Sequence, residues 1–135
     1  MNLYRIKDWP ELYENAATRK LKKLSWFPVP NSSDSLGFLR MREEPDFSDL
    51  YTGWILILAT ASRCFARGTL SSSEGRPYTA EDLELKWRFP AEKFTRSLEF
   101  CESLGWILVE GSGTESVGTE GVRLQAPDVP AGSPA

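Results

Sequence analysis

The chain has 135 residues, of which 41% are apolar and 12% aromatic, and this composition favours one folded domain over a disordered chain. It contains no histidine, which excludes a Ser-His-Asp triad, a Cys-His pair and an imidazole metal site. The net charge is −3 and no apolar run approaches the roughly 18 residues of a membrane span, so we expect a cytoplasmic protein without a membrane partner.

The first 45 residues are predicted to form an N-terminal arm followed by extended chain. A helix can begin at Pro10 in "DWPELYENAATRKLKKL", because proline suits the first helical turn, but its apolar stripe is broken. Two prolines flank Val29, and a run of turn-forming residues follows, which predicts extended chain and turn. The stretch "LGFLRMREEP" fits either a short helix or a short strand that ends at Pro45.

The segment from Phe47 to Arg67 has the periodicity of a helix with one buried face. Its apolar face follows the i, i+3, i+4, i+7 series and comprises Phe47, Leu50, Tyr51, Trp54, Ile55, Leu58, Ala61, Ser62 and Phe65. Gly68 is a suitable C-terminal stop. Gly53 inside the helix costs about 1 kcal/mol relative to alanine. We therefore expect a neighbouring element to pack closely against it.

The next segments predict two helices joined by a tight turn. "GTLSS" at residues 68–72 indicates a short strand, and Thr79 is a good N-cap for a short helix. The following helix begins at Pro90 and stops at Gly105. Its predicted inner face comprises Phe94, Leu98, Cys101 and Leu104.

The tetrapeptide GWIL occurs twice, and the two copies predict different structures. The first copy lies inside the long helix, whereas the second begins with the helix stop Gly105 and continues as a strand over residues 106–110. A Gly- and Ser-rich loop leads to a predicted returning strand at residues 122–125. The short strand at residues 68–72 would complete this sheet.

This order of elements is typical of a winged helix-turn-helix. We therefore predict an α+β fold with a small antiparallel sheet: an N-terminal helical arm and extended segment over residues 1–45, a winged helix-turn-helix domain over residues 46–126, and a disordered tail over residues 127–135.

Several short motifs resemble a family of phage and prophage winged-helix proteins of the replication-initiation and replisome-organiser type. The motifs are "RIKDW" at residues 5–9, "WFPVPN" at 26–31, "GW" at 53–54, "ASRC" at 61–64, "RGTL" at 67–70 and "LGWIL" at 104–108. The resemblance implies DNA binding by the winged helix, in replication or its control.

Three groups of residues are candidates for contacts with DNA. On the second helix of the helix-turn-helix, Lys93, Thr95 and Arg96 can read base edges or position the helix in the major groove. Lys86 and Arg88, which precede this helix, can anchor phosphates. The densest positive cluster lies in the arm, where it can follow a phosphate backbone, and it comprises Arg19, Lys20, Lys22 and Lys23.

Structural alternatives stay open for these groups. Glu92, Glu99 and Glu102 share the second helix and oppose phosphate binding, so this helix can instead be a solvated one with pairs such as Glu92–Arg96. The cluster in the arm can be an ordinary helix end, since cations favour helix C-termini. Lys86 and Arg88 can be ordinary surface charge. The predicted wing offers only Arg123, which makes it a weak DNA contact.

Three further sets of residues are assigned to structure rather than chemistry. Tryptophans can stack on bases, but we expect most of them in the core, with Trp54 on the buried helical face and Trp106 bracing helix against sheet; the pattern does not assign Trp87. The acidic string at residues 43–49 fits no metal-binding loop and indicates a solvated helix entrance. Cys64 and Cys101 lack the spacing of a zinc site and are expected as reduced core residues.

The sequence thus predicts a non-catalytic protein that binds double-stranded DNA, as a phage-type replication or regulatory factor without a cofactor, a metal or a small-molecule substrate. The alternative is a winged-helix module for protein–protein interaction, either a homodimer or an adaptor for replication proteins. It is motivated by residues 71–110, which carry eight acidic and five basic side chains.

Overall fold

A computed structural model describes residues 2–21, 24, 26–29, 35–64, 66–72 and 74–111. These residues form an α+β fold in which helices pack around one hydrophobic core beside a two-stranded antiparallel sheet. The elements are β1 (Asn2–Ile6), α1 (Trp9–Leu12), α2 (Ala16–Arg19), α3 (Leu36–Arg42), α4 (Phe47–Arg63), α5 (Ala80–Trp87), α6 (Ala91–Ser103) and β2 (Ile107–Gly111). Within this described part, no helix is both long and apolar enough to cross a membrane.

The helix α4 is the centre of the core, as its periodicity predicts. Of the predicted face, Leu50, Trp54, Leu58, Ala61 and Ser62 are buried, whereas Phe47, Tyr51 and Ile55 are half-buried, and Phe65 lies outside the described residues. The helix ends at Arg63, earlier than predicted, because the backbone becomes extended at the next residue.

Glycines explain how closely other elements approach α4. A Cβ on Gly53 would lie 2.8 Å from the Cβ of Ser97 on α6, which confirms the expected close packing. Gly68 does not end α4, but it has a positive φ of 90°, and its N–H donates to the Ala61 carbonyl over 3.1 Å. A Cβ there would lie 2.7 Å from the Trp9 side chain.

The strands of the sheet are not the ones that the sequence indicated. The strand β1, which was not predicted, pairs antiparallel with β2, with Ile6 opposite Ile107. On the other edge of β1, Thr69 forms an isolated bridge with Arg5, so the predicted strand at residues 68–72 lies beside the sheet as a bridge rather than a full strand. The predicted returning strand at residues 122–125 lies outside the described residues.

The two helices α5 and α6 are confirmed near their predicted bounds. The Thr79 hydroxyl accepts from the Asp82 N–H and the Asp82 carboxylate accepts from the Thr79 N–H, which forms a capping box at the start of α5. Residues 88–90 connect α5 to α6. The helix α6 buries Phe94, Leu98 and Cys101 against α4 and ends before Gly105, which has a φ of 82°.

The N-terminal arm differs from the helix that Pro10 predicts. The chain forms two short helices, because the Asn15 side chain accepts from the Thr18 N–H over 2.9 Å and begins α2 afresh. Trp9 and Tyr13 stack at 5.0 Å, and Tyr13 meets Trp54 edge-on. The described residues of the arm therefore share a core with the chain that follows.

Candidate nucleic-acid interface

The most prominent cation of α6, Arg96, is held by carboxylates at the N-terminal end of α4. Its guanidinium donates to both oxygens of Asp46 over 3.0 Å and to Glu44 over 2.7 Å. These hydrogen bonds hold the pKa of Asp46 below its ordinary value and raise the pKa of Arg96. A guanidinium in this bidentate arrangement already has the kind of partner that a phosphate would provide.

Lys93 is engaged in the same way one turn earlier on α6. Its ammonium lies 3.1 Å from a carboxylate oxygen of Asp49 and 5.7 Å from the centre of the Phe89 ring. We call Glu44, Asp46 and Asp49 the acidic cluster. The acidic string thus supplies ion-pair partners to α6, and the pair Glu92–Arg96 suggested by helical spacing is replaced by Arg96 with the acidic cluster. The described residues contain no group of side chains that could hold a metal ion.

The remaining surface of α6 is acidic. Glu92, Glu99 and Glu102 are exposed, and partial burial together with the charge of Glu99 raises the pKa of Glu102. Thr95 lines a shallow cleft of about 220 Å³ with Thr79 and other residues from the start of α5 and from β1. The three predicted contact residues of α6 therefore do not form one basic surface.

Lys86 and Arg88 lie at the opposite end of α4, where α5 ends. The Trp87 indole donates to the Thr60 hydroxyl over 2.8 Å, which fixes the end of α5 on the last turn of α4 and assigns a structural role to Trp87. The Lys86 ammonium lies 5.5 Å from the centre of the Trp87 ring. Burial raises the pKa of the Cys64 thiol, and the nearby charge of Lys86 is among the effects that oppose this rise.

Arg19 and Lys20 lie near the same end of α4, where a buried ion pair between Arg67 and Glu14 holds their helix. Arg67, four residues beyond the helix, lies 3.4 Å from the Glu14 carboxylate, and its guanidinium donates to the Arg19 carbonyl over 3.5 Å. The Trp9 indole donates to the same Glu14 carboxylate over 2.5 Å. These contacts fix the position of α2. Lys22 and Lys23, the other predicted members, lie outside the described residues.

We call the five cations near this end of α4 the basic end: Arg19, Lys20, Arg63, Lys86 and Arg88. All five are exposed, and no salt bridge within the described ranges involves any of them. Sequence reasoning missed Arg63, although a basic residue in the last turn of a helix was a usable signal. It also did not single out Trp26, which is 55% exposed.

Comparison of the chain with protein-family models, curated proteins and solved structures gave no match. The geometry of the acidic cluster and the basic end therefore carries the functional argument.

Proposed function

We propose that this chain binds double-stranded DNA without catalysis, as a phage-type replication or regulatory factor built on a winged helix-turn-helix. The single observation that carries the proposal is the basic end, where α2, α4 and α5 each contribute exposed cations near the C-terminal end of α4. Cations without carboxylate partners can neutralise phosphates and release counterions, which supplies sequence-independent affinity.

The proposal assigns phosphate binding to the basic end rather than base contacts to α6. Base contacts by Lys93 or Arg96 would require these side chains to leave Asp49 and the Asp46–Glu44 pair. The helices α5 and α6 with their short connection support the winged helix-turn-helix assignment, and β2 follows α6 where a wing would begin.

A second candidate is a protein–protein interaction module, and the surface of α6 favours it. With Lys93 and Arg96 already paired, the exposed charges that remain along α6 are the carboxylates of Glu92, Glu99 and Glu102. Such a surface is complementary to a basic protein surface, and it would repel phosphates.

Fluorescence anisotropy with a labelled duplex of random sequence tests the first candidate. We expect binding in about 50 mM salt, where phosphate contacts are strongest. Replacing Arg19, Lys20, Lys86 and Arg88 by glutamine should weaken binding and lower the slope of log K against log salt by about 0.9 for each phosphate that the variant no longer neutralises. The matched control is Lys93→Gln with Arg96→Gln, which should change affinity much less.

The two candidates give opposite results in this experiment. If the control variant loses as much affinity as the basic-end variant, the contact surface is wrongly assigned. No duplex binding at tens of micromolar protein would reject DNA binding altogether. In that case, a dimer in analytical ultracentrifugation that is disrupted by substitutions in residues 90–104 would support the interaction module.

A further inference from the structure

The exposed side chain of Trp26 contrasts with the other tryptophans. Trp9 and Trp54 are buried, Trp87 is held by its hydrogen bond to Thr60, and Trp106 packs 5.2 Å from the Trp54 ring. Trp26 is 55% exposed. An exposed indole leaves a large apolar surface in water, and such a surface is frequently used in binding.

Two described residues close to Trp26, one on each side, have side chains in contact with the core. Leu24 is 3% exposed and belongs to the core. The Phe27 ring lies 6.4 Å from the Trp9 ring and packs against the same core. Pro28 then restricts the backbone of Phe27 to extended conformations. The indole of Trp26 is thus presented to solvent between two side chains, Leu24 and Phe27, that contact the core.

Contacts of one buried side chain, Trp9, connect the neighbour of Trp26 with helix α2. Phe27, the neighbour of Trp26, contacts the Trp9 ring, while the Trp9 indole N–H binds Glu14. Glu14 pairs with Arg67, which donates to the Arg19 carbonyl. Residues 15–30 contain no acidic side chain. The exposed aromatic ring is therefore connected through Phe27 and Trp9 to the helix that carries Arg19 and Lys20.

We propose that Trp26 stacks on an unpaired base of single-stranded DNA whose phosphates contact Arg19 and Lys20. Every base has a π face, and a flat aromatic side chain beside cations is the usual platform for single strands. Bases in a duplex are already stacked on one another, so this contact selects an opened or single strand. The activity goes beyond the proposed duplex binding and does not depend on it.

Anisotropy with a labelled oligo-dT strand and an abasic strand of equal length tests this contact. The abasic strand keeps the phosphates but lacks the bases. Trp26→Ala should weaken binding of oligo-dT by roughly 5-fold or more, since stacking on one base is worth that much, and should leave the abasic strand unaffected. Trp26→Phe should retain most of the affinity because it keeps a flat ring.

A matched control is available on α5. Leu85 is 82% exposed, so Leu85→Ala removes a solvent-facing apolar side chain away from the arm and should not change binding of oligo-dT. Thermal unfolding monitored by circular dichroism should show that both variants fold like the unsubstituted chain, because neither side chain is in the core.

Three outcomes would overturn the proposal: no change in oligo-dT affinity for Trp26→Ala, an equal loss on the abasic strand, or a protein that binds no single strand while Trp26→Ala disrupts its self-association. The last outcome would identify Trp26 as part of a protein contact. If oligo-dT binding depends on Trp26 but the duplex is not bound, the proposal stands and the proposed duplex function fails.

Discussion

At the N-terminal end of α4, basic side chains of α6 meet carboxylates, whereas at its C-terminal end the side chains of the basic end are exposed to solvent. The two ends are about 25 Å apart at 1.5 Å per residue. Arg96 and Lys93 contact Asp46 and Asp49 over 3.0 and 3.1 Å at the first end. At the second, Lys86 and Arg88 are exposed, and neither forms a salt bridge with another residue that the structure describes.

This difference shows that position on a recognition-like helix does not by itself make a cation available to DNA. The helix dipole favours the charges seen at both ends of α4, since it stabilises carboxylates near the N-terminus and cations near the C-terminus. The α6 cations happen to pack against the acidic end. The α2 and α5 cations pack against the end where α4 itself adds Arg63.

The largest expected effect comes from breaking the packing that holds α6 along α4. Phe94 is completely buried, and its ring meets Phe89 at 5.2 Å. Phe94→Ala should reduce the free energy of unfolding by about 3–5 kcal/mol, because it removes buried apolar area and leaves a cavity. Urea denaturation measures this change. Leu85→Ala on the exposed face of α5 is the control, and an equal loss there would show that Phe94 is not a core anchor.

A slightly smaller effect is expected from the buried ion pair that positions α2 at the basic end. Arg67→Met would leave the Glu14 carboxylate, whose side chain is 6% exposed, without its cation. We expect a loss of about 3 kcal/mol, as for other buried pairs that lose one partner.

The exposed pair Arg76–Asp82, at 3.2 Å, is the control for this substitution. Arg76→Met should cost less than about 1 kcal/mol, because solvent screens an exposed pair. Equal stability losses for the two variants in urea denaturation would contradict the special role of Arg67.

The helices α4, α5 and α6 were predictable because the sequence signals for a helix are local. The periodicity of α4 and the capping residues Thr79 and Gly105 follow from spacing within one or two turns. The two GWIL copies were separated correctly for this reason. The first lies within α4, and the second joins the end of α6 to β2.

The parts that were not predicted depend on contacts between distant residues. Asp46 and Arg96 are 50 positions apart, so no pattern in the sequence shows that they meet. The strand β1 is short, and its partner β2 lies at the far end of the described chain. In the arm, the Asn15 cap divided the expected helix. Sequence reasoning therefore found the candidate cations but not which of them have partners.

The smallest expected effect is on the pKa values of two carboxyls, Asp46 and Asp82, which are lowered by different hydrogen bonds. The hydrogen bond from Arg96 is the main cause that holds the pKa of Asp46 below 3.8, whereas for Asp82 the main cause is the hydrogen bond from the Thr79 backbone. Arg96→Gln should therefore raise the Asp46 pKa most of the way back to its ordinary value. Arg76→Gln should leave most of the lowering of the Asp82 pKa in place. Carboxyl titration by NMR measures both values.

The same titration has a consequence for stability at low pH. Because the folded pKa of Asp46 is lowered, its contribution is present above the ordinary value of 3.8 and is lost as the pH falls through the lower folded value. Both partners are more than a third exposed, with side-chain exposures of 41% and 37%, so we expect less than about 1 kcal/mol. Comparing urea unfolding at pH 5 and pH 2.5 should show a smaller loss for Arg96→Gln than for the unsubstituted chain. An identical loss would mean that Arg96 is not firmly paired at the acidic end and is as available to phosphate as the cations of the basic end.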